Sequence, residues 1–308
     1  EGFYKLLREK FENKTAIIIV TYNGMHWIEK CIKSVINNST QCDVIVVDNN
    51  SSDITTAYIK ENFPDIILLE QTKNLGFGAA NNIGLSYALN AACDYVFLLN
   101  QDAYLQFDTI EKLINVHNNN PEFGIISPIH LNGDGGKLDL NFSNYIRPNE
   151  SLFCDALKSD FSKPIYEVPF INAAAWLLPR ITLETVGGFD PIFHHYGEDD
   201  NYCQRLIFHN FKIGVVPNSY IHHDREFRHV NTAPNKNYNL ELRERQLKYK
   251  WANINIEVNE EMETRKRYLS VLIVKLFIKL NFKKFIYYKS ELALIKRITT
   301  EIFKSRNI

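Results

Sequence analysis

Apolar positions in this chain fall into short unbroken runs separated by segments of helical period. Ala16-Ile-Ile-Ile-Val-Thr21, Asp43-Val-Ile-Val-Val-Asp48, residues 66–69 and Tyr95-Val-Phe-Leu-Leu-Asn100 have no alternating polar face. They predict strands buried on both sides. Helices are predicted between them. One covers about 27–37, with Ile28, Ile32, Val35 and Ile36 on one face. A second covers 54–62 behind a cap at Ser52 or Asp53, and a third the small-residue stretch 79–91. Strands and helices in this order build right-handed βαβ units, so the expected class is α/β with a doubly wound, mostly parallel sheet.

Further along, a helix is predicted over 108–118, a strand over 124–127 and turn chemistry at Asn132-Gly-Asp-Gly-Gly136. Residues 137–163 have poor periodicity and read as a long excursion over the site. A strand follows over 168–178, a turn at Gly187-Gly-Phe-Asp-Pro191, a helix from Glu198 to about Asn210, and short strands over 212–216 and 219–222. The character changes near residue 235. This divides the chain into a domain over 1–235 and a helical, basic amphipathic region over 236–308. There Leu269, Leu272, Ile273, Leu276, Phe277 and Leu280 keep helical spacing, while Lys275, Lys279 and Lys283 recur every fourth residue. Lysines interrupt the apolar run too often for a bilayer span of roughly 20 residues. Two readings stand: interfacial helices on anionic lipid, or a helical hairpin packed on the domain or on a second copy of the chain.

Composition narrows the classes. With a net charge of −1 over 308 residues, there is no whole-molecule electrostatic case for nucleic acid. Five scattered cysteines without a C-x-x-C pair, and a first stretch lacking the apolar core of a signal peptide, predict a reducing, cytoplasmic setting and no structural zinc.

The chemistry gathers at strand ends. In open parallel sheets ligands bind beyond the carboxyl ends of the strands. Here the first run ends in Thr21-Tyr-Asn-Gly24, the second in Asp48, and the fourth in Asn100-Gln-Asp102. Asp48 is suited to accept from a base N–H, and Asp102 to hold a divalent cation facing a diphosphate. The G-x-G of Lys73-Asn-Leu-Gly-Phe-Gly78 lacks the third glycine of a dinucleotide fingerprint and follows the third strand, which argues against a nicotinamide or flavin cofactor. Glu198-Asp-Asp200 at a helix start is either dipole complement or a general base. His222 and His223 include a candidate imidazole ligand.

Together these ordered motifs resemble the family 2 glycosyltransferases of GT-A fold over about residues 15–228. The resemblance rests on Val20-Thr-Tyr-Asn23, Val47-Asp-Asn-Asn-Ser-Ser-Asp53, Asn74-Leu-Gly-Phe-Gly-Ala-Ala-Asn-Asn-Ile-Gly84, Leu99-Asn-Gln-Asp102, Gly187-Gly-Phe-Asp190, Gly197-Glu-Asp199 and His222-His223. It is nearest the rhamnosyltransferase-like branch of bacterial surface-polysaccharide synthesis. The resemblance implies a GT-A-type sheet with a C-terminal helical extension, and inverting transfer of rhamnose or a similar sugar from a dTDP- or UDP-sugar to a saccharide or lipid-linked acceptor. It also implies a donor pocket of Thr21, Tyr22, Asn23, Asp48, Asn74, Gly76, Phe77, Gly78, Asn82, Asn100, Gln101 and Asp102. Asp102 and His223 would hold Mg²⁺ or Mn²⁺, Asp199 would be the base, and Trp176 and Glu198 would meet the acceptor. Asn100 stands where the D-x-D pattern has its first Asp. That departure motivates an alternative, a catalytically silent sugar-nucleotide-binding or scaffold subunit.

Overall fold

The structure is a computed structural model describing residues 13–226 and 238–306. Strands β1 (Thr15–Thr21), β2 (Asp43–Asp48), β3 (Ile67–Glu70) and β4 (Tyr95–Asn100) pair in parallel as β3-β2-β1-β4. Each strand is apolar on both sides because each side is covered. Ile17, Ile19, Val46 and Phe97 pack with α1 (Met25–Ile36), while Ile18, Val47, Val96 and Leu98 pack with α3 (Phe77–Asn90). Between β2 and β3, α2 (Thr55–Asn62) completes the wound half.

Beyond β4 the sheet turns mixed. The apolar run predicted as one strand over 168–178 is a strand only at β8 (Ala175–Pro179), antiparallel to β4. Residues 168–174 instead bend across the carboxyl end of the sheet. Next come β6 (Phe123–Asn132) and β9 (Lys212–His223), then β5 (Ala103–Leu105), a three-residue strand immediately after Asp102 that pairs antiparallel with the end of β9. The two strands predicted over 212–222 are one. Its register against β6 jumps from Val216 to Tyr220, a bulge that takes up Pro217, which has no N–H for a ladder. β7 (Tyr166–Glu167) adds to β9. The excursion over 137–163 contains two short helices, α5 (Leu140–Ile146) and α6 (Glu150–Lys158), capped by the side chains of Asp139 and Asn149. Helices α4 (Thr109–Asn118), α7 (Arg180–Val186) and α8 (Glu198–Phe208) cover the second half.

The C-terminal region forms α9 (Tyr238–Trp251), α10 (Asn259–Ile278) and α11 (Phe282–Ser305) around a separate core that includes Trp251, Met262, Leu269, Ile295 and Ile298. It is fastened to the sheet domain. Lys248 donates to the Ile192 carbonyl at 2.9 Å, Asn255 to the Gln204 carbonyl at 2.8 Å, and the Ser305 hydroxyl to Asp190. The expected boundary near 235 lies outside the described residues.

Candidate active site

The carboxyl ends of β1, β2 and β4 meet in one polar floor. Thr21 donates to Gln101 Oε1 at 2.7 Å, and the Tyr22 N–H to the same oxygen at 3.0 Å, so Gln101 ties the first turn to the end of β4. Asn23, at φ +48°, accepts from the Ser52 N–H at 2.8 Å and leaves the Tyr22 ring half exposed. Asp48 is buried. One carboxylate oxygen accepts from the Ser51 N–H at 2.9 Å, while Oδ1 has no partner. An acceptor buried without a donor is costly, and a ligand N–H would satisfy it.

Next to this floor, Asp102 Oδ1 faces His223 Nε2 at 3.4 Å, both buried. Strand alternation decides which histidine this is. Ala103 pairs with His223, which turns inward, whereas His222 points to the other face, toward the Gly133 carbonyl. On the far side of His223, Arg225 Nε lies 3.3 Å from Nδ1 and 2.8 Å from Asp139 Oδ2, and Asp139 is 3.9 Å from Nδ1.

Asp199 stands beside the bend before β8. The Asn100 N–H donates to the Ala174 carbonyl at 3.0 Å, and the neighbouring Ala173 main chain lies close enough to the Asp199 carboxylate to draw its pKa down. The bend thus adjoins both the end of β4 and the start of α8. Arg225, beside His223, also draws the Asp199 pKa down. Burial opposes this and dominates, raising the Asp199 carboxyl above its ordinary 3.8. Burial also lifts Glu198 to about 7, and burial together with the Asp199 charge lifts Asp200 to about 7. Glu198 Oε2 is buried without a partner.

The model of glycosyl transferase family 2 matches residues 16–174, half of the chain. The chain belongs to this family. A low-salt glycan biosynthesis hexosyltransferase of Haloferax volcanii is 28% identical over 208 residues, covering 65% of this chain and 63% of that protein. The chain therefore spans less than two thirds of that relative. An N-acetylglucosaminyl-diphospho-decaprenol L-rhamnosyltransferase of Mycobacterium tuberculosis is 22% identical over 231 residues, covering 68% of this chain and 75% of the relative. Among solved structures, the mannosyltransferase PcManGT from Pyrobaculum calidifontis, in complex with GDP-Man and Mn²⁺, aligns with a TM-score of 0.54 at 21% identity. That alignment covers 80% of this chain and 64% of the other, and the likeness is one of fold, GT-A.

Within this family 2 chain, several residues expected at the donor do something else. Asn82 spends its amide on one main-chain segment, accepting from the Phe189 N–H at 2.7 Å and donating to the Phe189 carbonyl at 2.8 Å. It is a bracket, not a free donor-pocket group. Asn74 accepts from the Gly76 N–H and from Asn49 Nδ2, at 2.9 and 3.0 Å. Gly76 and Gly78 permit close approach of protein to protein. A Cβ on Gly76 would stand 2.0 Å from the His194 carbonyl oxygen, and one on Gly78 would stand 2.9 Å from the Phe189 side chain. Phe77 packs edge-on against Phe189. The loop therefore braces the segment that carries Asp199.

Trp176, expected to meet the acceptor, has no exposed surface; it stacks on Phe189 and leans on Tyr202, so its ring lies in the core. An aromatic at the end of an apolar run reads equally well as pocket wall or core, and here core wins. Residues the sequence did not single out are Asn49, Asp139 and Arg225. Asn49 is buried and donates to the Gly76 carbonyl at 3.3 Å while accepting from the Leu75 N–H at 2.8 Å.

Proposed function

We propose that this chain transfers a hexose or deoxyhexose such as rhamnose, with inversion, from a dTDP- or UDP-sugar to a hydroxyl of a saccharide or lipid-linked saccharide in bacterial surface-polysaccharide synthesis. What supports this is the bend at Ala173 and Ala174: the Ala174 carbonyl holds the β4 end next to Asp102, and the Ala173 main chain lies close enough to the Asp199 carboxylate to lower its pKa. On this reading donor and acceptor chemistry share one cleft. The rhamnosyltransferase among the relatives supports the sugar class.

Each half has its groups. The unpartnered Asp48 Oδ1 suits the ring N–H of a pyrimidine base, and the half-exposed Tyr22 ring offers a stacking face beside it. Asp102 and His223 supply one oxygen and one nitrogen to a divalent ion. Among the described residues no three His, Cys, Asp or Glu side chains gather as a complete cage. Two protein ligands fit an ion whose remaining ligands are phosphate oxygens and water, and the imidazole favours Mn²⁺ over Mg²⁺. Such an ion neutralises charge on the departing diphosphate. Asp199 accepts the proton as the acceptor oxygen bonds to the anomeric carbon and the bond to the diphosphate breaks, so no enzyme nucleophile is required. Its raised pKa makes it a stronger base than an exposed aspartate. Glu198, beside it with one unpartnered oxygen, would hold an acceptor hydroxyl.

Calorimetric titration with UDP, dTDP and GDP, each with and without Mn²⁺, tests the donor half. A pyrimidine diphosphate should bind more tightly with Mn²⁺, and Asp102→Ala should remove that Mn²⁺-dependent gain. Lack of any metal-dependent nucleotide binding in the unaltered chain would reject the reading. Binding with no nucleoside diphosphate release toward any acceptor would identify the silent binding subunit instead.

A further inference from the structure

We infer that the tip of the α10–α11 hairpin is a docking surface for anionic lipid bilayers. Two independent features coincide there. Val274, Phe277, Ile278, Leu280, Phe282 and Ile286 stand 51–73% exposed around the turn that joins the two helices. Large apolar side chains on a water-soluble surface are ordinary when scattered, but a contiguous group marks an interaction site. The same hairpin is also strongly basic. From residue 275 to 289, around the turn, there are five Lys and no Asp or Glu, in a chain whose net charge is −1.

This charge selects the occupant. A second copy docking through the same patch would meet itself across a two-fold axis, setting cation against cation. A neutral hydrophobic partner would leave the lysines without a counterpart. Anionic headgroups answer both features at once, because apolar side chains enter the acyl boundary while flanking lysines stay at headgroup level. No helix among the described residues is long and apolar enough to cross a membrane, so the tip docks on the surface. The turn suits such insertion. α10 ends at Ile278, Leu280 adopts φ +54°, and Asn281 caps α11 by accepting from the Lys284 N–H at 3.3 Å. The apolar tip is therefore presented on a capped, ordered corner.

The test is co-sedimentation of the full chain with vesicles of phosphatidylcholine alone or with one third phosphatidylglycerol, with no nucleotide present, so its outcome is separate from that of the transfer reading. Binding should require phosphatidylglycerol and weaken steeply at 1 M salt. Joint replacement Phe277→Ser, Ile278→Ser and Leu280→Ser should reduce partitioning at least tenfold. Joint replacement Lys279→Gln, Lys283→Gln and Lys284→Gln should reduce it by about fivefold per lysine. These positions are exposed, so melting temperatures should stay within about 2 °C, which separates lost docking from lost folding. Sedimentation of both variants equal to that of the unaltered chain, binding to neutral vesicles only, or a patch whose serine variant dissolves a dimer while vesicle binding is unchanged would each overturn the inference. So would retention of the chain by nucleic acid in preference to vesicles.

Discussion

The three carboxylates that open α8 sit at one end of a helix, yet burial sets them apart from ordinary caps. Asp199 accepts from the Asp200 N–H and its pKa is drawn down by the Ala173 main chain and Arg225, while Glu198 keeps an oxygen with no partner. Two consequences are measurable. The acid limb of the pH–rate profile should lie above the range of an exposed aspartate, since Asp199 must lose its proton to act and burial resists that loss. Glu198 lies at about 7 in the folded chain against an ordinary 4.5. Between those values the folded chain holds a proton that the unfolded chain has released, so stability falls as pH rises through that window. Glu198→Gln should therefore raise the melting temperature at pH 8, by about 5 °C, and leave it almost unchanged at pH 4. A matching shift at both pH values would refute the assignment. Asp139→Asn should lower Mn²⁺ affinity about tenfold or more in titration calorimetry, since this carboxylate holds Arg225 at 2.8 Å, and Arg225 lies against Nδ1 of His223. The positions of Asp48 and Asp102 were legible in the sequence because each closes or closely follows an unmistakable apolar run, whereas the inward turn of His223 rather than His222 is given by the β5–β9 register. Asp139 and Arg225 were not legible, because they enter from segments without periodicity.

The glycine loop and the segment before α8 behave as one brace. Gly76, at φ +85°, touches the His194 main chain, whereas Gly187, at φ +79°, has open space where a side chain would go. The pair separates crowding from backbone strain. Gly187, with ψ −159°, lies in a region essentially reserved for glycine, so Gly187→Ala should cost the backbone strain alone, about 1–3 kcal/mol. Gly76→Ala adds a main-chain collision, so thermal denaturation should show a clearly larger loss, with transfer impaired as the Asp199 segment shifts. Equal losses would refute the brace. The wound half, with its three connecting helices, could be read from hydrophobic runs alone. The direction of β8 could not, since an apolar run carries no arrow. Nor could β5, whose three residues gain strand geometry only from the end of β9. Asp139 and Asn149 read as caps only once α5 and α6 are known, since their helices are too short to announce themselves by period.

Across the whole molecule, the helical region is coupled to the segment that leads into Glu198 and Asp199. Asp190 meets Ser305, the Ile192 carbonyl meets Lys248, and Arg245 lies over the Tyr196 ring at 5.3 Å. These contacts converge on the few residues before Glu198, so the C-terminal helices and the glycine loop hold that segment from two sides. The amphipathic period of residues 264–286 foretold helices, but the sequence left open whether their apolar face would be buried. The structure divides it, with Leu269 and Leu276 inward and Phe277 and Ile278 outward. The proposed function rests on a division of labour between Asp102, two residues beyond β4, and Asp199 at the start of α8. The most direct test is nucleoside diphosphate release, measured beside nucleotide affinity, in Asp199→Asn. Release should fall by about 10²–10⁴-fold while Mn²⁺-dependent nucleotide affinity stays within twofold; undiminished release, or affinity lost together with release, would contradict the account.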